Sequence, residues 1–368
     1  MNPRAVRFGI ARWMAVVLCS SMLVLIACGG GSGDPTPESG ETSAPPEAAE
    51  MGRVVRLDPA LDAIVAPDAA IEKLAGDMRF TEGPVWVRDG GYLLFSDIGH
   101  NVINKWDPSD GTVTVFLAGS GFTGADPTGL GSNRTDASGQ AYKNIGSNGI
   151  TLDAQGRVVY AGHGGRQIVR LEPGGQRTVL AREFEGKRFN SPNDLVYRSD
   201  GSLYFTDPTS GLTQGDESPL RELTFNAVFL LKDGELQVAT REIERPNGLA
   251  FSPDETLLYV NNSRARTITQ FDVQPDGTLA NGRLLIDMNS DPAVGGPDGI
   301  KVDEEGNLYA TGPGGLWIMT PSGQHIGTIV FPEQPTNLAF GDDDGRMLYV
   351  TARAGLYRIP LRIPGVRP

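Results

Sequence analysis

The chain reads as all-β, a six-bladed β-propeller, and three observations lead there. Glycine (48) and proline (26) are abundant among the 368 residues, while long helix-forming runs are scarce, which favours short strands joined by turns. An apolar strand with an aromatic near its middle recurs six times, as 93-LLFSD-97, 158-VVYAG-162, 203-LYFTD-207, 257-LLYVN-261, 308-LYATG-312 and 347-MLYVT-351. A second apolar strand precedes each: 82-EGPVW-86, 148-NGITLD-153, 193-NDLVY-197, 247-NGLAF-251, 298-DGIKV-302 and 336-TNLAF-340. The distance from its first residue to the aromatic stays between 11 and 13 residues.

Repeats of roughly 40 to 50 residues with several short strands each mark a propeller, in which every blade packs between its neighbours. Taking Phe95, Tyr160, Tyr204, Tyr259, Tyr309 and Tyr349 as equivalents, the repeats follow one another at 40 to 65 residues. A β-sandwich accounts for short strands but not for the constant offset. Alternating segments such as 166-RQIVRL-171 and 267-TITQFDV-273 supply further strands of each blade. Residues 51–80, including 53-RVVRL-57 and 71-IEKLA-75, are expected to add outer strands that close the ring with the C-terminal blade. The propeller therefore spans 51–368. A long Gly-, Ser-, Asn- and Thr-rich insertion at 119–149 is either a lid over the channel or a loose loop.

The N-terminus reads as an address. Arg4, Arg7 and Arg12 precede the apolar run 13-WMAVVLCSSMLVLIA-27, too short and wrongly flanked for a good membrane span. It ends in 25-LIAC-28, which resembles a bacterial lipoprotein processing site and implies a signal peptide over 1–27 with lipidation of Cys28. An ordinary signal peptide is the alternative, and either makes the protein exported, in the first case lipid-anchored in the cell envelope. Residues 28–50 then form the lipidated cysteine and a Gly-, Ser- and Pro-rich tether. Both cysteines, Cys19 and Cys28, fall in this region, so the folded part has no thiol chemistry. The formal charge of −13, with no basic and aromatic cluster to offset it, argues against nucleic acid as a partner.

In a propeller the innermost strands line the central channel, so the first residues of the six strands converge on its axis. Here they are Glu82, Asn148, Asn193, Asn247, Asp298 and Thr336, and every one carries a side-chain oxygen. Asn and Asp often hold turns through their side chains, which would account for Asn148 or Asn247. That does not account for Glu82, nor for six oxygen donors in register. Carboxylates and amides without His or Cys suit a hard divalent cation: calcium first, magnesium second, with zinc and manganese further alternatives.

The stretches 80-FTEGPVW-86, 187-KRFNSPNDLVYRSDGSLYFTDP-208, 246-PNGLAFSPDE-255 and 297-PDGIKVDEEGNLY-309 together resemble the gluconolactonase, senescence-marker-protein and regucalcin-like group. The resemblance covers about 51–360. It implies a six-bladed propeller with a central divalent ion, usually calcium, and hydrolysis of sugar lactones. It also implies that Glu82, Asn193, Asn247 and Asp298 are the metal ligands, with Asp298 also the general base and Asn148 a polar wall residue. The same ligand set also resembles the more distant calcium-dependent phosphotriesterases and paraoxonases, but Thr336 stands where some of those phosphotriesterases carry histidine, which weakens that alternative.

Ester hydrolysis needs a polarised carbonyl, an activated water and a stabilised oxyanion. His163, in 161-AGHGGRQ-167, matches a position where the family often has histidine and is a pocket or proton-relay candidate. Asp207 is a further candidate for lining the site, and Arg166 for binding a sugar hydroxyl or acid group, with a salt bridge as its alternative. Asn193 and Thr336 complete the substrate-facing set. His100 and His325 have no supporting context, and no Gly-x-Ser-x-Gly elbow stands out. The expected partner is a small lactone, with the membrane touched only through the lipid and the chain a monomer. A non-catalytic propeller that binds a protein or carbohydrate, and a quinone-dependent oxidoreductase, are the readings from other classes.

Overall fold

The computed structural model describes residues 51–136 and 138–368. The leader, Cys28 and the tether lie outside the described residues. Six antiparallel sheets follow one another along the chain and close into a ring. Blade one comprises Thr81–Val87, Tyr92–Asp97, Val102–Trp106 and Val113–Ala118. Blade two comprises Ile150–Leu152, Val158–Gly162, Gln167–Leu171 and Arg177–Ala181. Blade three runs from Leu195–Tyr197 through Leu203–Asp207 and Ala227–Lys232 to Glu235–Thr240. Blade four holds Pro246–Phe251, Leu257–Asn262, Thr267–Val273 and Leu279–Asp287. Blade five holds Ile300–Val302, Leu308–Gly312, Gly315–Met319 and His325–Val330, and blade six Pro335–Gly341, Met347–Ala352 and Gly355–Pro360.

The N-terminal segments behave differently from one another. Glu72–Ala75 pairs with Gly355–Pro360 and becomes the fourth strand of blade six, so the ring is closed by chain from both ends. Arg53–Arg56 pairs instead with His325–Val330 as a fifth strand on blade five. The expectation that both would join the C-terminal blade thus holds for the second segment only. Five residues, Pro59–Ala63, form a 3-10 turn that lets the chain step from one blade to the next, with Leu61 fully buried in the contact.

Among the described residues the core is divided into six apolar clusters, which fill the six inter-blade interfaces. The repeated aromatics are less uniform than their spacing implies. Tyr204, Tyr259, Tyr309 and Tyr349 pair with the fourth residue of the preceding element (Val196, Ala250, Lys301 and Ala339) and face the next blade. Tyr160 pairs one place earlier, with Ile150, and Phe95 sits one beyond the Leu94 that pairs with Val85. One step along a strand reverses the face, so Phe95 and Tyr160 pack on the preceding blade.

Where Tyr349 meets blade one, its ring stacks on Trp86 at 5.3 Å and tilts against Trp106 at 5.6 Å. Edge-on pairs of Tyr204 with Phe251 and Tyr309 with Phe340 repeat the theme between other blades.

Candidate functional site

Each innermost strand begins at one end of the channel, and the six residues at those starts are gathered there. Glu82, Asn148, Asn193, Asn247 and Thr336 are buried, and Asp298 is part-exposed. The starts are held by the second strands through one recurring position. Thr206 Oγ1 accepts the Asp194 N–H at 3.1 Å, Thr311 Oγ1 the Asp298 N–H at 2.7 Å, and Thr351 Oγ1 the Asn337 N–H at 3.1 Å. In blade four the same position is Asn261, whose amide donates to the Asp298 carbonyl at 2.8 Å. A short polar side chain satisfies a backbone group that the channel would otherwise strand.

Glu82 uses one carboxylate oxygen for structure: Oε2 accepts from the Gly83 N–H at 3.0 Å and from the Asn337 amide at 3.1 Å. Burial, and then the charges of Asp298 and Asp194, push the Glu82 carboxyl well above the usual range. Asp298 is pushed up to about 6, first by burial and then by the charge of Asp194, with the nearby Asn247 amide opposing the shift. Asn148 Oδ1 and Asn247 Oδ1 are buried and accept no hydrogen bond from the described residues. A buried amide oxygen left unmet costs about 1–3 kcal/mol. Two carboxyls pushed upward by burial thus stand beside unmatched amide oxygens at the channel start. Among the described residues no group of three or more His, Cys, Asp or Glu is placed to hold a metal ion by itself. The side chains at the six starts all carry oxygen, as amide, carboxylate or hydroxyl.

The remaining candidates have other surroundings. Thr336 Oγ1 donates to the Thr81 carbonyl at 2.7 Å, so it ties blade six to blade one. Both oxygens of Asp207 are engaged by backbone, accepting the Asn190 and Ser191 N–H groups at 2.8 Å each. Asp97 does the same in blade one for Arg79 and Phe80. Each such clamp lies two residues upstream of a channel-facing donor, Glu82 or Asn193. Burial pushes Asp207 up to about 7. His163 is buried with Nδ1 on the Pro192 carbonyl at 3.1 Å, and its ring packs so closely on Gly211 that any side chain there would overlap it. Burial pushes its pKa down, so it is neutral at pH 7 and braces the backbone beside Asn193. Arg166 donates to the Phe189 carbonyl at 2.5 Å and stands 3.6 Å from Glu222, which makes it a contact within the loop wall. His100 lies at the same rim, with Nδ1 2.6 Å from Asp97 Oδ2.

The 119–149 insertion is tied down. Its hairpin, Asn133–Thr135 with Ala141–Lys143, is anchored by the Tyr142 hydroxyl on the Arg79 carbonyl at 3.0 Å. The Gly131 N–H reaches the Gly211 carbonyl at 2.7 Å and Thr213 Oγ1 the Gly131 carbonyl at 2.9 Å, which joins the insertion to blade three. It lies on the donor side of the ring. A cavity of about 500 Å³ lies toward the other end of the channel, lined by the downstream halves of the inner strands and by the C-terminal Val366, Arg367 and Pro368. Its walls are largely apolar and carry none of the six donors.

Sequence reasoning missed Asp194 and Asn337, which follow two of the donors. Asn337 Nδ2 reaches Asp194 Oδ2 at 3.3 Å as well as Glu82, so both stand in the channel itself. The signal was present: the second residue of the repeated element is glycine in the other four blades.

Residues 80–354 match the family described as SMP-30/Gluconolactonase/LRE-like region. The chain belongs to that family. A gluconolactonase of Zymomonas mobilis is 39% identical over 319 residues, covering 84% of this chain and 86% of the relative. A solved gluconolactonase of Xanthomonas campestris superimposes with a TM-score of 0.69 at 33% identity, covering 84% of this chain and 94% of that one. A calcium-binding protein, regucalcin from Agrobacterium tumefaciens, shares the fold with a TM-score of 0.64 at 18% identity, covering 82% of this chain and 97% of its own.

Proposed function

We propose that this chain, a lactone hydrolase by its family, opens a polyhydroxylated lactone of gluconolactone type with the help of a divalent cation held by Glu82, Asn193, Asn247 and Asp298. The observation that carries the reading is the unmatched, buried Asn247 amide oxygen beside two carboxyls, Glu82 and Asp298, that burial first and then the charge of Asp194 push upward. Calcium suits that donor set best and magnesium next; zinc would favour His or Cys. When bound, the cation supplies Lewis acidity toward the lactone carbonyl and neutralises the paired carboxylates. Asp298, part-exposed at the channel start, removes a proton from the attacking water. The same proton then serves the ring oxygen as the ester bond breaks, leaving a hydroxy acid. Asn148 and Asn193 orient the substrate, and the docked hairpin limits access from solvent.

The test is a pH-stat assay over a panel of lactones, before and after chelator treatment and calcium return. Full turnover by the stripped protein would falsify the cation's role, and silence toward every lactone with calcium present would remove the lactonase reading. We further propose export with a lipid on Cys28 and function as a monomer, on the strength of 25-LIAC-28 and a closed ring. Mass measurement of the mature N-terminus and light scattering of the released domain decide both, a free N-terminus or a dimer counting against them.

A further inference from the structure

The second residue of the repeated element is Gly83, Gly149, Gly248 or Gly299 in four blades, and Asp194 or Asn337 in blades three and six. In a six-membered ring those two blades stand opposite each other, so the two side chains meet across the channel. The glycines permit it. A methyl group on Gly149 would sit 2.6 Å from Asp194 Oδ1, and one on Gly299 would overlap the Asn337 amide. Gly83 and Gly248 are held for another reason, because the neighbouring carbonyls of Asn148 and Asp298 press against them.

Asn337 donates downward to Asp194 Oδ2 at 3.3 Å and sideways to Glu82 Oε2 at 3.1 Å, one amide serving two carboxylates. A fourth member approaches from blade five. Lys301 occupies the position that is valine, threonine or alanine in the other blades, and its Nζ stands 3.8 Å from Asp194 Oδ2. A lysine in the channel wall, beside a carboxylate that is almost fully buried, is hard to account for by packing.

We propose that Asp194, Asn337 and Lys301 form a floor that sets how tightly the ring of oxygens above it holds a divalent cation, an inference that rests on the cation reading given above. Asn337 fixes Oε2 of Glu82 against the floor, which leaves Oε1 as the oxygen available to the ring. Asp194 adds a third negative charge beneath Glu82 and Asp298. Lys301 offsets that charge, so it weakens cation binding and steadies the cation-free protein. The three act through other groups and are positioning residues.

Calcium titration calorimetry and thermal melts of the chelator-stripped and calcium-loaded protein test the proposal. The unaltered protein comes first: no heat and no melting shift with calcium or magnesium removes the cation reading itself. If it binds, Lys301→Met should bind calcium about tenfold more tightly, as expected when one nearby positive charge is lost, while its stripped form melts lower. Asn337→Leu should bind about tenfold more weakly, since Glu82 is released. Asn337→Asp adds a carboxylate, so its stripped form should melt lower and its calcium-induced shift should grow. A floor with only a structural role predicts equal losses of melting temperature in stripped and loaded forms with unchanged calcium affinity. That outcome, or a Lys301→Met protein that binds calcium no better than the parent, overturns the proposal. Should Asn337→Leu fail to fold, Lys301→Met decides, because its quarter-exposed side chain can be replaced without opening a cavity.

Discussion

The burial of Asp298 gives the site a pH dependence whose sign can be worked out. Its carboxyl is pushed up to about 6, and under the proposed mechanism it must be ionised to act as a base. Activity should therefore fall as pH drops through about 6, and the midpoint should move lower as calcium is raised, because the cation favours the ionised form. A midpoint that ignores calcium would separate Asp298 from the cation. Asp298→Asn should lose roughly 10²–10⁴ in kcat, the usual contribution of a general base. Asp207 makes a separate statement about stability. Its pKa in the folded protein, about 7, lies above that of an unfolded aspartate, so the folded state binds the proton more tightly. That contribution is fully present below about pH 4 and disappears as pH rises through 7. Asp207→Asn should flatten the slope of melting temperature against pH between 5 and 8. It should also lower the melting temperature at pH 8, where one of the Asn190 and Ser191 N–H groups loses its acceptor.

At the scale of the strand, the repeat was legible because every blade needs the same start, the same apolar pair and the same return. Glu82, Asn148, Asn193, Asn247, Asp298 and Thr336 could be aligned from spacing alone, and the structure gathers them. What spacing could not show is which face a side chain takes. The six aromatics fall into two registers because a one-residue slip is invisible in an offset that already varies by two, yet it sends Phe95 and Tyr160 to the opposite blade. Asp207, His163 and Arg166 stood close in sequence to channel residues, and their hydrogen bonds to backbone were not readable from composition. Asp194 was readable, as the one acid breaking a run of glycines. The inserted hairpin raises a prediction of its own. Replacing 132–144 with a short Gly-Ser link should raise KM several-fold and leave melting nearly unchanged, because the hairpin contributes no residue to the six apolar clusters. A large loss of stability instead would make it part of the scaffold.

For the whole molecule, the acidic balance and the ring closure have different consequences. Part of the negative charge is used as turn chemistry at the end of the channel remote from the site. Asp153, Asp200, Asp254, Asp303 and Asp344 each accept a backbone N–H two residues on, in the turns between first and second strands. At these five positions the charge serves the turns, whereas Glu82, Asp194 and Asp298 act on one another within the channel. Closure is the opposite case, since it acts directly on the site. Glu82 lies on blade one, next to the seam where Thr336 reaches the Thr81 carbonyl and Trp86 stacks on Tyr349. The outermost strand of the blade across that seam is Glu72–Ala75, tied to Arg358 through Glu72 at 2.7 Å. A chain beginning at residue 78 would expose the edge of Gly355–Pro360 and free the seam. It should melt far lower than the chain beginning at 51 and lose calcium binding with the fold. Trp86→Ala, which keeps the strand but empties the seam, should cost about 3–5 kcal/mol. If the seam positions Glu82, emptying it should also weaken calcium binding, and a melting shift on calcium addition smaller than the parent's is the expected result. An equal shift in both proteins would mean that the seam carries stability alone and the donors are placed blade by blade.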